Sequence, residues 1–186
     1  MKIKLLLLLG PTGVGKTALI HQLRKIDRRF VYITPYVTRK LRPGEKDKIH
    51  VSDSEMNRMN HQGKLLFVNN VYGNRHGTPK ALMEKTFESG KFPVLDWPIK
   101  KIRAIKNLFP NRVYCVYLEP PDLDVLKERL SHKNNLEKRL RSAENELKEL
   151  HLGKYDREID LLIISKEGEL HRLAKLVLKK YLTAIS

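Results

Sequence analysis

A doubly wound α/β fold, with a mostly parallel sheet and helices on both faces, is predicted by three features of this 186-residue sequence. Apolar runs of buried-strand length at residues 3–9, 92–95, 113–118 and 159–164 alternate with stretches whose apolar residues recur at helical spacing. The first run leads directly into a complete G-x-x-x-x-G-K-[ST] loop, Gly10-Pro11-Thr12-Gly13-Val14-Gly15-Lys16-Thr17. The length suits one domain with a real core, and no repeat or low-complexity tract interrupts the alternation.

Taken in order, Leu5 to Leu9 are five consecutive leucines, as expected of a buried strand. Ala18, Leu19 and Leu23 mark the helix over 17–25. Residues 30–34 are β-branched and aromatic and predict a second strand, while 35–45 form a turn-rich basic segment. Ser52 with Glu55 three positions later predicts a capping box for a helix over 53–61, which Gly63 ends. Segments 65–71 and 72–78 read as short strands joined by a turn, followed by a helix from Pro79 to Ser89 that Gly90 stops. The strand over 92–95 runs into Asp96, and a helix includes 99–108. The core strand over 113–118 leads through Glu119-Pro120-Pro121 to a helix over 122–131, and then to a basic stretch over 132–141. Leu136, Leu140, Ala143, Leu147 and Leu150 predict one long amphipathic helix. Residues 159–164 read as a final buried strand, and Leu170, Leu173, Val177 and Tyr181 as a C-terminal helix.

The net charge of +16 calls for an anionic partner, either nucleic acid or phosphorylated metabolites. The basic residues are spread over 24–29, 39–48, 100–106, 127–141 and 175–180 instead of forming one tail, so phosphorylated small molecules are expected and nucleic acid is not. The single cysteine, Cys115, lies in an apolar stretch, which excludes an internal disulfide and predicts a buried thiol in a reducing compartment. Lys2 and Lys4 ahead of the leucines resemble a secretion signal superficially, but the apolar run is too short and feeds Gly10 and Pro11. No stretch approaches the roughly 20 apolar residues of a membrane span. A soluble cytoplasmic protein with no membrane partner is expected.

The loop carries the chemistry. Glycines at 10, 13 and 15 allow backbone conformations that turn N–H groups toward a phosphate. Lys16 adds a point charge for the β- and γ-phosphates, and the Thr17 hydroxyl is a hard oxygen ligand suited to Mg²⁺. The following helix aims its positive end at the same site. Asp96, at the end of a hydrophobic strand, is where such folds hold or orient Mg²⁺ water, its other reading being a helix cap. Together these residues predict a P-loop fold that binds a nucleoside triphosphate with Mg²⁺.

The order of further motifs narrows the family. Thr38-Arg39-x-x-Arg42-Pro43-Gly44-Glu45, Gly73-Asn74-x-x-Gly77-Thr78, Val94-Leu95-Asp96, Leu118-Glu119-Pro120-Pro121 and the basic stretch from Arg129 to Arg139 follow the loop in sequence. In this order the chain resembles the guanylate kinase family over essentially its whole length. The resemblance implies a core over about 1–34, 91–128 and 142–186, an acceptor-binding region over about 35–90, and a short lid over about 129–141 that closes over ATP. It further implies that Lys16, Arg39, Arg129 and Arg139 are catalytic, and that Arg39, Arg42, His76 and Thr78 bind the acceptor. Lys133 stands in the lid where an arginine is more usual. Planar arginine forks at 39 and 42 suit a phosphate.

The sequence departs from the family where guanine is read. Phe67 and Pro98 occupy the positions of two carboxylates that grip the base, and neither side chain accepts a hydrogen bond. Pro35 and His76 replace a serine and a tyrosine of the phosphate site, Thr78 replaces a serine, and the loop after Glu45 is shortened near Lys48. Three readings follow. The first is an ATP-dependent nucleoside monophosphate kinase acting on GMP, a monomer or homodimer using small nucleotide substrates. The second is a kinase of a non-guanine acceptor similar to the ribose-bisphosphate phosphokinases, which share the pattern of Tyr36-Val37-Thr38-Arg39 and Val51-Ser52. The third is a non-catalytic guanylate-kinase-like binding module. Arg42 and Pro43-Gly44-Glu45 favour the first, and the survival of Lys16, Thr17 and Asp96 weighs against the third.

Overall fold

In the computed structural model, residues 2–131 and 135–186 are described. The chain divides into two compact units, one made of Met1–Phe30 with Val94–Ser186, the other of Val31–Pro93. The boundaries fall inside the strands β2, Phe30–Tyr32, and β7, Phe92–Asp96.

A five-stranded sheet has the order β2-β7-β1-β8-β9, with β1 at Leu5–Leu9, β8 at Val113–Glu119 and β9 at Leu161–Ile164. β7 and β8 flank β1 in parallel, and β9 adds in parallel to β8. All five leucines of β1 are fully buried, which explains the unbroken apolar run, since both faces of a central parallel strand are covered by helices. Each such leucine contributes roughly 2 kcal/mol of burial. α1, Lys16–Ile26, packs against α7, Leu170–Ile185. Tyr181 of α7 is buried, and its hydroxyl donates to the Lys4 carbonyl, tying the last helix to the start of β1.

The hairpin of α5, Leu123–Leu130, and α6, Leu136–His151, packs through Leu126, Leu130 and Ala143. Asp122 caps α5 by accepting from the Val125 N–H at 2.7 Å. α4, Ile102–Leu108, is preceded by a 3₁₀ turn over Ile99–Lys101. Cys115 is fully buried, as expected, and burial pushes its thiol up to about 12.

The second unit has its own four-stranded sheet, of order β4-β3-β6-β5, which exceeds the short strands expected from the sequence. Its strands are β3, Tyr36–Val37; β4, Ile49–His50; β5, Leu65–Val71; and β6, Asn74–Pro79. β3 pairs parallel with β4 and antiparallel with β6, and β5 pairs antiparallel with β6. The β5–β6 connection is a two-residue turn, with Tyr72 at φ 52° and Gly73 at φ 84°. Two positive φ values match the right-handed twist of a hairpin. α2, Asp53–His61, has the expected cap, the Ser52 hydroxyl accepting from the Glu55 N–H at 3.1 Å. It covers one face of the hairpin: a Cβ at Gly77 would lie 2.7 Å from the Met56 sulfur and 3.0 Å from Leu65 Cδ1.

Three expectations about elements need correction. The strand expected over 30–34 ends at Tyr32, because the chain leaves the sheet ahead of Pro35, whose ring restricts the residue before it. Pro79 ends β6 rather than opening a helix; its backbone is extended at φ −68°, ψ 124°, and α3 runs over Lys80–Glu88. The final strand is not buried as a whole. β9 is at the sheet edge, with Ile163 inside but Leu162 46% and Ile164 45% exposed.

Candidate active site

In the first unit, the loop after β1 is shaped by glycines at positions that admit no side chain. Gly10 sits at φ 125°, and a Cβ there would overlap the Leu118 carbonyl oxygen of β8. Gly13, at φ 84°, faces α5 so closely that a Cβ would come within 2.8 Å of Leu130 Cδ2. Gly15, at φ 106°, caps α1 without a side-chain acceptor, leaving first-turn N–H groups of the helix for an anion. The Lys16 ammonium donates to the carbonyls of Gly10 and Pro11 at 2.6 and 2.9 Å. The loop thus carries its cation at its own centre. Thr17 lies exposed in the first turn of α1. Ser165, just after β9, braces the loop from the other side. Its hydroxyl donates to the Val14 carbonyl at 2.7 Å, and its N–H donates to the Glu119 carbonyl at 2.7 Å.

Two of the arginines expected in the lid meet this loop region. Arg139, in the first turn of α6, donates to the Thr12 hydroxyl at 3.3 Å. Arg129, near the end of α5, donates to the Ser165 carbonyl at 3.3 Å. Arg129 also lines a cavity of about 230 Å³ with Gly13, Gly15, Ala18, Ser165 and Lys166. Lys133 lies outside the described residues.

Asp96 ends β7 in register with Leu8 of β1, and the Trp97 N–H donates to the Leu8 carbonyl at 2.9 Å. The aspartate therefore stands beside the strand that feeds the loop. Pro98 opens the 3₁₀ turn and brings no hydrogen-bonding side chain. Glu146 of α6 was not singled out by its sequence. Its carboxylate accepts from the Tyr117 hydroxyl at 3.0 Å. Desolvation raises its pKa above the usual carboxylate range, against the pull of Lys16, the Tyr117 hydrogen bond and Lys100. The available signal was a charged residue three positions from Ala143 on the apolar stripe of the helix. Ser165 and Lys166 were also missed; the cue is that ligands of open α/β sheets gather beyond the carboxyl ends of strands.

In the second unit, Arg39 grips Glu45 with both terminal guanidinium nitrogens, at 2.7 and 2.6 Å, and also donates to the Lys40 carbonyl at 2.9 Å. Glu45 further accepts from the Arg42 N–H at 3.1 Å. One carboxylate therefore organises the turn that displays both arginines, a role the sequence did not assign. The Arg42 residue is exposed, and Arg39 and Glu45 side chains are 17% and 11% exposed. His76 and Thr78 lie on β6, opposite Asn69 and Phe67 of β5. Lys48 donates to the Tyr32 hydroxyl at 3.2 Å, with its ammonium over that ring.

The ion pair makes a pH prediction. Hydrogen bonding to Arg39 lowers Glu45 from 4.5 to about 2. A carboxylate depressed in the folded state adds stability above its unfolded value and loses it as pH falls through its folded value. The pair's contribution, roughly 1–2 kcal/mol after solvent screening, is expected in full above about pH 4.5 and to fade toward pH 2. Urea unfolding of the parent and Glu45→Gln at matched pH checks this: their stability difference should shrink on acidification. A constant difference contradicts it.

The family model described as guanylate kinase matches residues 2–168. A guanylate kinase of Streptomyces coelicolor is 33% identical over 152 residues, covering 77% of each chain. One of Desulfitobacterium hafniense is 32% identical, covering 88% of this chain and 82% of the relative. Among solved structures, guanylate kinase from Anaplasma phagocytophilum superimposes with a TM-score of 0.77 at 19% identity, covering 99% of this chain and 87% of the other. At that identity the likeness speaks for the fold.

Proposed function

The chain belongs to the guanylate kinase family, and on that premise we propose that it transfers the γ-phosphoryl group of ATP to a nucleoside monophosphate, with GMP as acceptor. The observation that carries the reading is the intact phosphate loop. Gly10 and Gly13 allow backbone approaches that a Cβ would block, and Lys16 sits on the loop carbonyls.

Phosphoryl transfer asks a protein for positioning and positive charge more than for a nucleophile. In this reading the loop amides and Lys16 hold the ATP phosphates. The cavity beside Ala18, Arg129 and Lys166 takes the rest of the donor nucleotide. Thr17 and Asp96 offer hard oxygen ligands that would hold Mg²⁺, and the ion would offset negative charge on the phosphates. Arg129 and Arg139 neutralise charge that builds on the transferred group. Arg39, held by Glu45, acts with Arg42, His76 and Thr78 on the acceptor. The core, the acceptor-binding region at about 35–90 and the lid at about 129–141 are assigned on the same basis. The chain's excess of positive charge then serves two phosphorylated substrates instead of nucleic acid. Among the described residues no helix is long and apolar enough to cross a membrane.

A coupled assay of ADP formation across GMP, dGMP, AMP, UMP, CMP and ribose bisphosphate tests the proposal. Turnover with GMP is the expected result. Turnover with ribose bisphosphate alone would transfer the reading to the non-guanine kinase, and tight ATP binding without turnover would transfer it to the binding module.

A further inference from the structure

We infer that Asn69 reads the acceptor's base from the β5–β6 face that also carries Phe67, His76 and Thr78. The inference rests on the nucleoside monophosphate kinase reading and deepens it, because it names the polar contact that Phe67 and Pro98 do not supply.

The face is fixed by register. Val68 pairs with Gly77 and Asn70 with Arg75, and these positions turn toward α2. Gly77 meets Met56 there, and Arg75 bonds Asn57 at 2.7 Å. Phe67, Asn69, His76 and Thr78 therefore occupy the opposite face, since successive strand residues alternate. Two of those four positions, His76 and Thr78, are acceptor-binding in the proposed function.

Asn69 is only 4% exposed, and its side-chain oxygen is buried with no hydrogen-bond partner among the described residues. An asparagine is a poor strand former, and a buried amide oxygen left unpaired is destabilising. Both costs at one residue, beside an acceptor face, point to a ligand group that satisfies the oxygen. Phe67 adds an aromatic wall next to it for a base to pack on.

The amide's chemistry sets the base. A carboxylate only accepts hydrogen bonds, which suits the guanine N1–H and N2–H groups. An amide accepts through its oxygen and donates through its nitrogen. It pairs with guanine N1–H and O6, and turned over about its own axis it pairs equally with adenine N6–H and N1. Between the two purine nucleoside monophosphates this pairing therefore leaves a narrow margin, GMP against AMP.

Steady-state kinetics of the parent, Asn69→Leu and Asn69→Asp with GMP, AMP and ribose bisphosphate tests this, with ATP affinity and thermal unfolding measured alongside. In the parent, kcat/KM for GMP and AMP should agree within about 10-fold. Asn69→Leu removes the polar group at similar volume. It should lower kcat/KM for both purine nucleotides by about 10- to 100-fold, with unchanged ATP affinity and no loss of thermal stability. Asn69→Asp restores an acceptor-only group and should raise the GMP to AMP ratio about 10-fold or more. Asn69→Leu activity within about twofold of the parent, or an unchanged GMP to AMP ratio in Asn69→Asp, overturns the inference while leaving the kinase reading in place. A parent enzyme that turns over no nucleoside monophosphate overturns both.

Discussion

Lys16→Ala is expected to lower kcat by at least about 10²- to 10³-fold, the scale of losing one preorganised charge from a transfer site. The side chain ends on the carbonyls of Gly10 and Pro11 and fills no part of the apolar core, so the fold should persist. Far-ultraviolet circular dichroism and thermal unfolding separate the two effects. Lys16 also offsets part of the desolvation that raises the pKa of half-buried Glu146, so a modest loss of stability is expected as well. Turnover retained within about tenfold would remove the cation from the account.

Arg39→Ala is the second large effect. It should raise the acceptor KM and lower kcat/KM for the acceptor by about 10²-fold, with ATP affinity unchanged, because a bidentate fork on a phosphate is lost. Arg39→Lys should not rescue it, since an ammonium is a point charge without the fork. The substitution also strands Glu45, which is bonded to Arg39 through both oxygens. The double variant Arg39→Ala/Glu45→Gln separates the roles: it should regain stability and remain impaired with the acceptor. Recovery of activity in the double variant would make Arg39 a structural partner of Glu45 only.

What the sequence made legible was local. The strand, loop and first helix follow from five leucines and three spaced glycines, because buried strands and positive-φ backbone demand those residue types. The Ser52 cap and the stripe of α6 follow from spacing within a single helix. The parts that depend on distant pairing were not legible. β9 reads as apolar whether it lies inside or at an edge, so the exposure of Leu162 and Ile164 needed the strand order. The parallel β3–β4 pair joins two-residue segments separated by a basic loop, too short for any period to register.

The same division runs through the candidate site. The loop, with Thr17 at its end, and Asp96 at the end of its strand were visible as motifs. Glu45 appeared as the end of a motif, not as the group that orients Arg39. Glu146 looked like one more helix charge until α6 placed it under Tyr117. Asn69 has no sequence signal, since only the β5–β6 register and its burial distinguish it from exposed Asn70 beside it.

The most direct measurement follows the phosphate itself. With ATP labelled on its γ-phosphate and GMP present, the label should appear in GDP in step with ADP formation, and Lys16→Ala should slow both by the same factor. Label released only as inorganic phosphate, or left on ATP while GMP is bound, would contradict phosphoryl transfer by this chain.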